Sequence, residues 1–361
     1  MKTENLIGVS EKELEETFIA LGEKPYRVGQ TMNWVYHYGI YDFNEMTNLS
    51  KATRAQLANK FHISLPSIKE KTQSRDGTIK YLIQFEDGEC IESVWMPSGD
   101  RKTLCVSSQV GCRLNCSFCM TATMGLKRNL SAGEIIGQIM AVNNDVGEEG
   151  KITNIVLMGM GEPLDNYDAL VDAVRLMISP SALRLSTRKV TISTSGLVDK
   201  IKQFQEENLH INLAISLNAT ENATRDTLIP INKKYPIETL LECLRNYPLK
   251  PQRRMTFEYI LLRGVNDSPE DARRLAKMLR GIPSKINLIP FNPFSPSSYQ
   301  PPKEEETLAF QNYLIEQNYS VYIRKNRGAD IMGACGQLAA HSQTATVSQT
   351  ASVSQTATAP L

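Results

Sequence analysis

No apolar run in this 361-residue chain reaches the roughly 18 residues that a membrane helix needs, so no membrane span is expected. The N-terminus, Met1-Lys2-Thr3-Glu4-Asn5, lacks the apolar stretch of a secretory signal. An excess of one charge sign is also missing. With 40 Lys and Arg against 39 Asp and Glu, the formal net charge is +1. That excludes nucleic-acid binding by bulk charge and confines any RNA contact to local basic clusters. Cysteine is scarce and odd in number. Seven cysteines, mostly grouped, do not form a secreted disulfide framework, and they fit a reducing cytoplasm.

What is present suffices for a large core. The hydrophobic content is 41%, and the length suits a large α/β domain plus a smaller one. The organising stretch is Gly111-Cys112-Arg113-Leu114-Asn115-Cys116-Ser117-Phe118-Cys119. Its cysteines, Cys112, Cys116 and Cys119, stand at C-x3-C-x2-C spacing, which lets one loop wrap three thiolates around a compact metal site. Structural zinc takes four protein ligands, and iron–sulfur clusters usually take four thiolates. No fourth cysteine lies close by. Either a remote residue such as Cys335 closes a zinc site, or one metal position stays open for chemistry.

Residues 1–65 read as a small helical domain. Ser10 and Glu13 form a capping-box pattern, and Leu14, Phe18 and Leu21 follow at helical spacing. A second helix is expected near 28–38 and a third after Ser50. Their apolar stripes suit a core, whereas Lys24, Tyr26, Arg27, His37 and Tyr38 suit either a solvated face or RNA. Residues 66–100 read as a β-hairpin linker, with strands over 78–85 and 90–96 around the Glu86-Asp87-Gly88 turn. Glu92 lies in the second strand. Pointing outward, it is a surface residue; buried beside a site, it has a raised pKa and can shuttle a proton.

From residue 101 a strand–helix rhythm begins. Strands are expected at 104–110, 153–158, 188–193, 211–217, 255–262, 285–289 and 320–324. Such alternation predicts parallel strands with helices outside, and polar loops gathered at their C-terminal ends. Cys112, Cys116 and Cys119 then share one mouth with Glu162, Ser193, Asn218 and Asn292. Each alone is a turn or cap residue; after successive strands, together, they suit a cofactor site. The segment from residue 339 to 361 repeats Ser-Gln-Thr-Ala without charge and reads as a disordered low-complexity tail.

Four motifs carry a resemblance: 105–112 (Cys-Val-Ser-Ser-Gln-Val-Gly-Cys), 127–130 (Lys-Arg-Asn-Leu), 159–163 (Gly-Met-Gly-Glu-Pro) and 333–338 (Gly-Ala-Cys-Gly-Gln-Leu). Over roughly residues 10–338 the chain resembles the RlmN/Cfr family of radical S-adenosylmethionine RNA methyltransferases. The resemblance implies a partial (β/α)6-type radical SAM barrel over 101–338 and an RNA-binding N-terminal domain. It implies a [4Fe–4S] cluster on Cys112, Cys116 and Cys119, with two S-adenosylmethionine molecules used per turnover. It implies that Cys335 carries a methyl group to adenine, that Cys105 resolves a protein–RNA adduct through a transient disulfide, and that Glu92 acts in acid–base chemistry. The implied S-adenosylmethionine contacts are Gly161, Glu162, Ser193, Ser216, Leu217, Asn218 and Asn292. The implied targets are C2 of adenosine 2503 in 23S rRNA and of adenosine 37 in tRNAs. A C8-methylating relative is the nearest rival, and a zinc-stabilised RNA-binding protein without catalysis is the remote one. The implied partners are 23S rRNA, tRNA and an electron donor such as flavodoxin or ferredoxin, with the enzyme a monomer. Cys90 and Cys243 read as structural. The preferred phosphate contacts are Lys127 and Arg128 beside the cysteine loop and Arg324, Lys325 and Arg327 before Cys335, with Lys250, Arg253 and Arg254 forming a further basic cluster.

Overall fold

Local signals start the N-terminal helices. Ser10 accepts from the Glu13 amide while the Glu13 carboxylate accepts from the Ser10 amide, and this complete capping box opens α1 (Glu11–Ala20). Next, α2 (Arg27–Met32) runs into a π-helical turn at Asn33–His37, and Ser50 caps α3 (Lys51–Lys60). Leu14, Phe18, Met32, Val35 and Leu57 are buried, so the apolar stripes are core. The short strands β1 (Glu4–Asn5) and β2 (Phe61–His62) pair in parallel and tie the two ends of this module together. The computed structural model of the chain describes residues 3–340; the tail expected from 339 lies, from His341 onward, outside the described residues.

An antiparallel meander follows: β3 (Ser67–Gln73), β4 (Ile79–Gln84), β5 (Cys90–Ser98) and β6 (Arg101–Cys105). The segment read as a hairpin linker therefore also widens the main sheet. Two short strands, β7 (Gln109–Gly111) and β8 (Leu126–Asn129), pair antiparallel around the cysteine loop. Helices and strands then alternate: α4 (Ala132–Gly150), β9 (Asn154–Leu157), α5 (Tyr167–Ile178), β10 (Val190–Thr194), α6 (Val198–Glu206), β11 (Asn212–Ser216), α7 (Asn222–Leu228), α8 (Ile237–Arg245), β12 (Met255–Leu261), α9 (Pro269–Met278), β13 (Ser284–Pro290), α10 (Glu304–Glu316) and β14 (Ser320–Ile323). The ten-stranded sheet has the order β14-β13-β12-β11-β10-β9-β6-β5-β4-β3, and β6 with β9 to β14 are parallel neighbours. No helix among the described residues is long and apolar enough to cross a membrane.

The strand expected over 104–110 is divided. β6 ends at Cys105 because Ser107 and Ser108 turn into the interior. The Ser107 amide donates to Gln138 Oε1 at 2.9 Å, its hydroxyl donates to the Glu92 carbonyl at 2.7 Å, and the Ser108 amide donates to the Met160 carbonyl at 2.8 Å. Cys105 thus stands at the C-terminal end of the first parallel strand.

β14 and β6 are not paired, so the barrel is open along one side. The chain after β14 crosses that opening. Asp330 accepts from the Ser74 hydroxyl and the Arg75 amide, and Asp76 accepts from the Gly328 amide. The segment then returns over the mouth. The Met120 amide donates to the Gly336 carbonyl at 2.7 Å, Thr121 Oγ1 to the Leu338 carbonyl at 2.6 Å, and the Ala339 amide to Glu92 Oε2 at 2.9 Å. The Cys335 loop and the cysteine triad are thereby tied to the same end of the barrel.

Glycine sets the seat of the N-terminal module. Gly8 takes φ +100° against the start of α4, and a Cβ on Gly133 would run into the Ile7 carbonyl. Gly133→Ala should push the module off the barrel at a cost of about 1–3 kcal/mol. Hydrogen-exchange mass spectrometry should show faster exchange in α1 to α3 with the parallel strands unchanged. Unchanged exchange in α1 to α3 would contradict this packing.

Candidate active site

The triad loop is held from several sides. The Cys112 amide donates to the Gly125 carbonyl at 2.9 Å, Asn115 takes φ +54°, and the Ser117 amide donates to the Leu228 carbonyl of α7 at 3.1 Å. Phe118 packs into a small apolar cluster with Leu228, Ile229, Phe291 and Phe294. This anchor leaves Cys112, Cys116 and Cys119 in the wall of an open cavity of about 880 Å³ at the C-terminal ends of the strands.

Burial raises all three thiol pKa values, that of Cys112 to about 12. The sulfurs therefore keep their protons until a metal displaces them. Among the described residues, no three His, Cys, Asp or Glu side chains converge on one metal-ion position. Three soft thiols around a cavity, rather than about a point, suit a cluster that gives each thiolate its own iron better than one tetrahedral zinc. The donor set fits an iron–sulfur cluster, and the polar lining beside it fits an amino-acid-bearing nucleoside.

That lining comes from successive strand ends. Gly161, Glu162, Ser193, Ser216 and Asn218 all face the cavity. Gly161 takes φ +99°, and a Cβ there would lie 2.6 Å from the Gln109 Cβ. Gln109 then holds the turn by accepting the Glu162 amide on Oε1 at 2.9 Å. Glu162 is buried, and its carboxylate accepts the Ser195 and Leu164 amides at 2.8 and 3.2 Å. Burial outweighs those bonds and lifts its pKa to about 7. Leu217 does not line the cavity. Its side chain is core, its amide donates to the Ile215 and Glu258 carbonyls, and its carbonyl accepts from Arg225.

A second, smaller cavity of about 420 Å³ adjoins the first. Cys105, Met96, Asn292 and Lys325 line it, while Met158, Ile289, Arg324, Cys335 and Leu338 line both cavities. Asn292 Nδ2 donates to the Cys335 carbonyl at 3.2 Å and so steadies the loop. All seven cysteines carry free thiols. Burial raises the pKa of Cys105 to about 12 and also raises that of Cys335, on which Arg324 pulls the other way.

Several residues differ from their expected settings. Glu92 is buried but lines neither cavity; its carboxylate takes the Lys80 ammonium at 2.9 Å and the Ala339 amide. Lys127 is paired with Glu89, and Arg128 with both Asp87 and Glu134, so carboxylates already neutralise these expected phosphate contacts. Arg324 turns inward to the cysteines. In the N-terminal module Tyr26 and Tyr38 are exposed, while Arg27 is bonded to Gln30 and Asn48. Sequence reading passed over Arg225, which is fully buried. Its guanidinium donates to the Leu217, Ser216 and Ser195 carbonyls and to Asn232 Oδ1, clamping two strand-end loops of the cavity. Nothing in its short polar helix marks it as buried.

Known proteins resemble this chain over most of its length. The ribosomal RNA large subunit methyltransferase N-terminal domain matches residues 4–63, and the radical SAM superfamily matches residues 106–276. A dual-specificity RNA methyltransferase RlmN from Paracoccus denitrificans (strain Pd 1222) is 48% identical over 349 residues, covering 92% of this chain and 89% of that one. The protein of the same name from Syntrophobacter fumaroxidans is 46% identical over 328 residues, covering 91% and 96%. The crystal structure of a radical SAM methyltransferase from Sphaerobacter thermophilus matches with a TM-score of 0.86 at 42% identity, over 93% of this chain and 99% of that one.

Glu162 yields a pH prediction for the metal-free chain. Its carboxyl ionises near 4.5 when unfolded and near 7 when folded, so its protonated form favours the fold. This contribution is full below about pH 4.5 and is lost as the pH rises to about 7. Glu162→Gln should flatten the decline in urea-unfolding stability across that window. A slope equal to that of the parent would contradict the buried setting.

Proposed function

We propose that this chain, which belongs to the RlmN family of radical SAM RNA methyltransferases, methylates C2 of adenine in RNA through its own Cys335. The targets in this reading are adenosine 2503 of 23S rRNA and adenosine 37 of tRNA. The observation that carries it is the placement of Cys335 in a wall common to two cavities, one holding the cysteine triad and the other Cys105. A carrier must meet its methyl donor, its activating group and its resolving partner without leaving the site.

When bound at Cys112, Cys116 and Cys119, the cluster with S-adenosylmethionine supplies a methyl group and a hydrogen-abstracting carbon radical. Gly161, Glu162, Ser193, Ser216, Asn218 and Asn292 orient that molecule, and Leu217 contributes by shaping the turn beneath it. The Cys335 sulfur accepts the methyl group and loses its own proton. After one hydrogen atom leaves that methyl group, its carbon bonds to adenine C2 and joins protein to RNA. Adenine C2 is too poor a nucleophile for direct displacement, which explains the detour. Once the C2 hydrogen has departed as a proton and one electron has passed to the oxidised cofactor that the triad would hold, Cys105 attacks the Cys335 sulfur. The S–S bond forms, the S–C bond breaks toward the methyl-bearing carbon, and that carbon takes a proton. Two electrons from an external reductant, such as flavodoxin or ferredoxin, then reopen the disulfide.

Glu92 holds the Cys335 segment through the Ala339 amide, and it reaches the reacting carbon as an acid or base only when that bond opens. The adenine must leave its stack to enter the mouth, so looped or unpaired RNA is the favoured substrate. The N-terminal module and Lys325, which makes no ion pair among the described residues, are the candidate RNA contacts.

Mass spectrometry of RNA from a knockout strain complemented with this chain should show 2-methyladenosine in both rRNA and tRNA. Finding 8-methyladenosine, or no methyladenosine, would overturn the assignment. Cys112→Ala should lose the iron and all turnover, read by iron analysis and methylation; retained iron with retained methylation would contradict its role. Cys105→Ala should leave protein covalently attached to RNA, visible as a nuclease-sensitive band of low mobility. Absence of that band would count against Cys105 as the resolving residue.

A further inference from the structure

Arg324 belongs by sequence to a basic group with Lys325 and Arg327, which suits phosphate. All three line the smaller cavity, but only Arg324 also reaches the triad cavity, while Arg327 lies 3.8 Å from Asp76. β14 ends at Ile323, and the Arg324 amide donates to the Leu288 carbonyl at 2.8 Å, which continues the parallel ladder one residue further. The register turns its side chain into the barrel, where it lines both cavities with Cys335. Nη1 lies 3.7 Å from Met158 Sδ and 3.8 Å from Glu258 Oε2. Glu258 is itself held by Asn287 Nδ2 at 2.9 Å. At 3.8 Å the carboxylate is a loose partner, and a guanidinium has five N–H donors. Several of them remain for the sulfurs.

We propose that Arg324 is a catalytic residue whose guanidinium is the counter-ion for the Cys335 thiolate during methyl acceptance. The proposal deepens the reading of Cys335 as methyl carrier and rests on it. A thiol is a weak nucleophile, and the thiolate is the reactive form. The Cys335 sulfur sits in a wall that resists charge, so a fixed cation beside it makes the anion attainable. The thiol proton leaves to water through the mouth. The thiolate electron pair forms the new S–C bond, and the C–S bond of the sulfonium breaks with its pair on the departing sulfur. Both products are neutral at sulfur, and the positive charge of Arg324 is left facing Glu258. Cys105 lies within the same field, so one cation serves both thiols in turn.

The charged and titratable groups around the cavity that Cys335 lines are Arg324 at the end of β14, Lys325 and Arg327 from the segment after it, Glu258 from β12, Cys105 from β6 and Cys119 from the triad loop. Arg324 favours the anion and Glu258 opposes it, and this opposition is the test. The metal-free full-length chain is treated with iodoacetamide across roughly pH 7–11.5, a window that reaches above the burial-raised ionisation of Cys335, and the Cys335 peptide is quantified by mass spectrometry. Arg324→Met should slow Cys335 alkylation about tenfold near pH 8 and move its midpoint up by about one unit. Arg324→Lys should restore most of the rate. Glu258→Gln should move the midpoint down. A contact that merely shapes the loop would not give opposite signs for the two charges. Alkylation of buried Cys243 reports the fold in each variant; if Arg324→Met exposes it, the sign of Glu258→Gln decides alone. Midpoints unshifted or raised in Glu258→Gln, or unshifted in a folded Arg324→Met chain, overturn the proposal even where RNA is still methylated. A parent chain that never methylates RNA overturns the proposal together with the reading it rests on.

Discussion

Parallel hydrogen bonding among β6 and β9 to β14 is the constraint on which everything else depends. Seven parallel strands place every strand's C-terminal end on one face, so loops far apart in sequence must meet there. Cys105, Glu162, Ser193, Ser216, Glu258 and Arg324 are brought together from strands spanning more than half the chain. No local contact could gather them. The chemistry is a consequence of ladder register, since a one-residue slip in any strand would turn its polar end residue away from the mouth.

An open barrel with such a mouth needs a device to finish it. Here the chain itself does so: the segment after β14 crosses to the turn between β3 and β4, then folds back over the triad. Its bonds to Ser74, Met120, Thr121 and Glu92 hold Cys335 between the two cavities. The bonds to Thr121 and Glu92 are buried, and those made by the Asp330 and Glu92 carboxylates are charge-assisted, each contributing about 1.5–3 kcal/mol. On the other side of the site the buried clamp made by Arg225 joins the ends of β10 and β11 with three hydrogen bonds and ties them to Asn232 with a fourth.

Much of this was legible before any coordinates. Alternating strand and helix patterns fixed the α/β class, and the C-x3-C-x2-C loop after the first parallel strand marked three cysteines that the fold brings to one cavity wall. What remained hidden was burial. Arg324 and Arg128 look alike in sequence, yet one points at two cysteines and the other is neutralised by Asp87 and Glu134. Glu92 reads as a carboxylate in an apolar strand, and only the returning C-terminal segment shows that its partner is the Ala339 amide. The break of the expected strand at Cys105 follows from Ser107 and Ser108 turning inward, which depends on Gln138 and Met160 more than 30 residues away. These are long-range contacts, and periodicity carries no record of them.

The central claim is spatial: Cys335 shares a wall with Cys105 and opens onto the triad cavity. A short bifunctional thiol reagent applied to the metal-free chain, followed by peptide mass spectrometry, tests it most directly. Cys335 should be linked to Cys105 or to Cys119 and never to Cys90 or Cys243. A Cys335 that takes the reagent at one end only, while the triad cysteines link among themselves, would contradict the account.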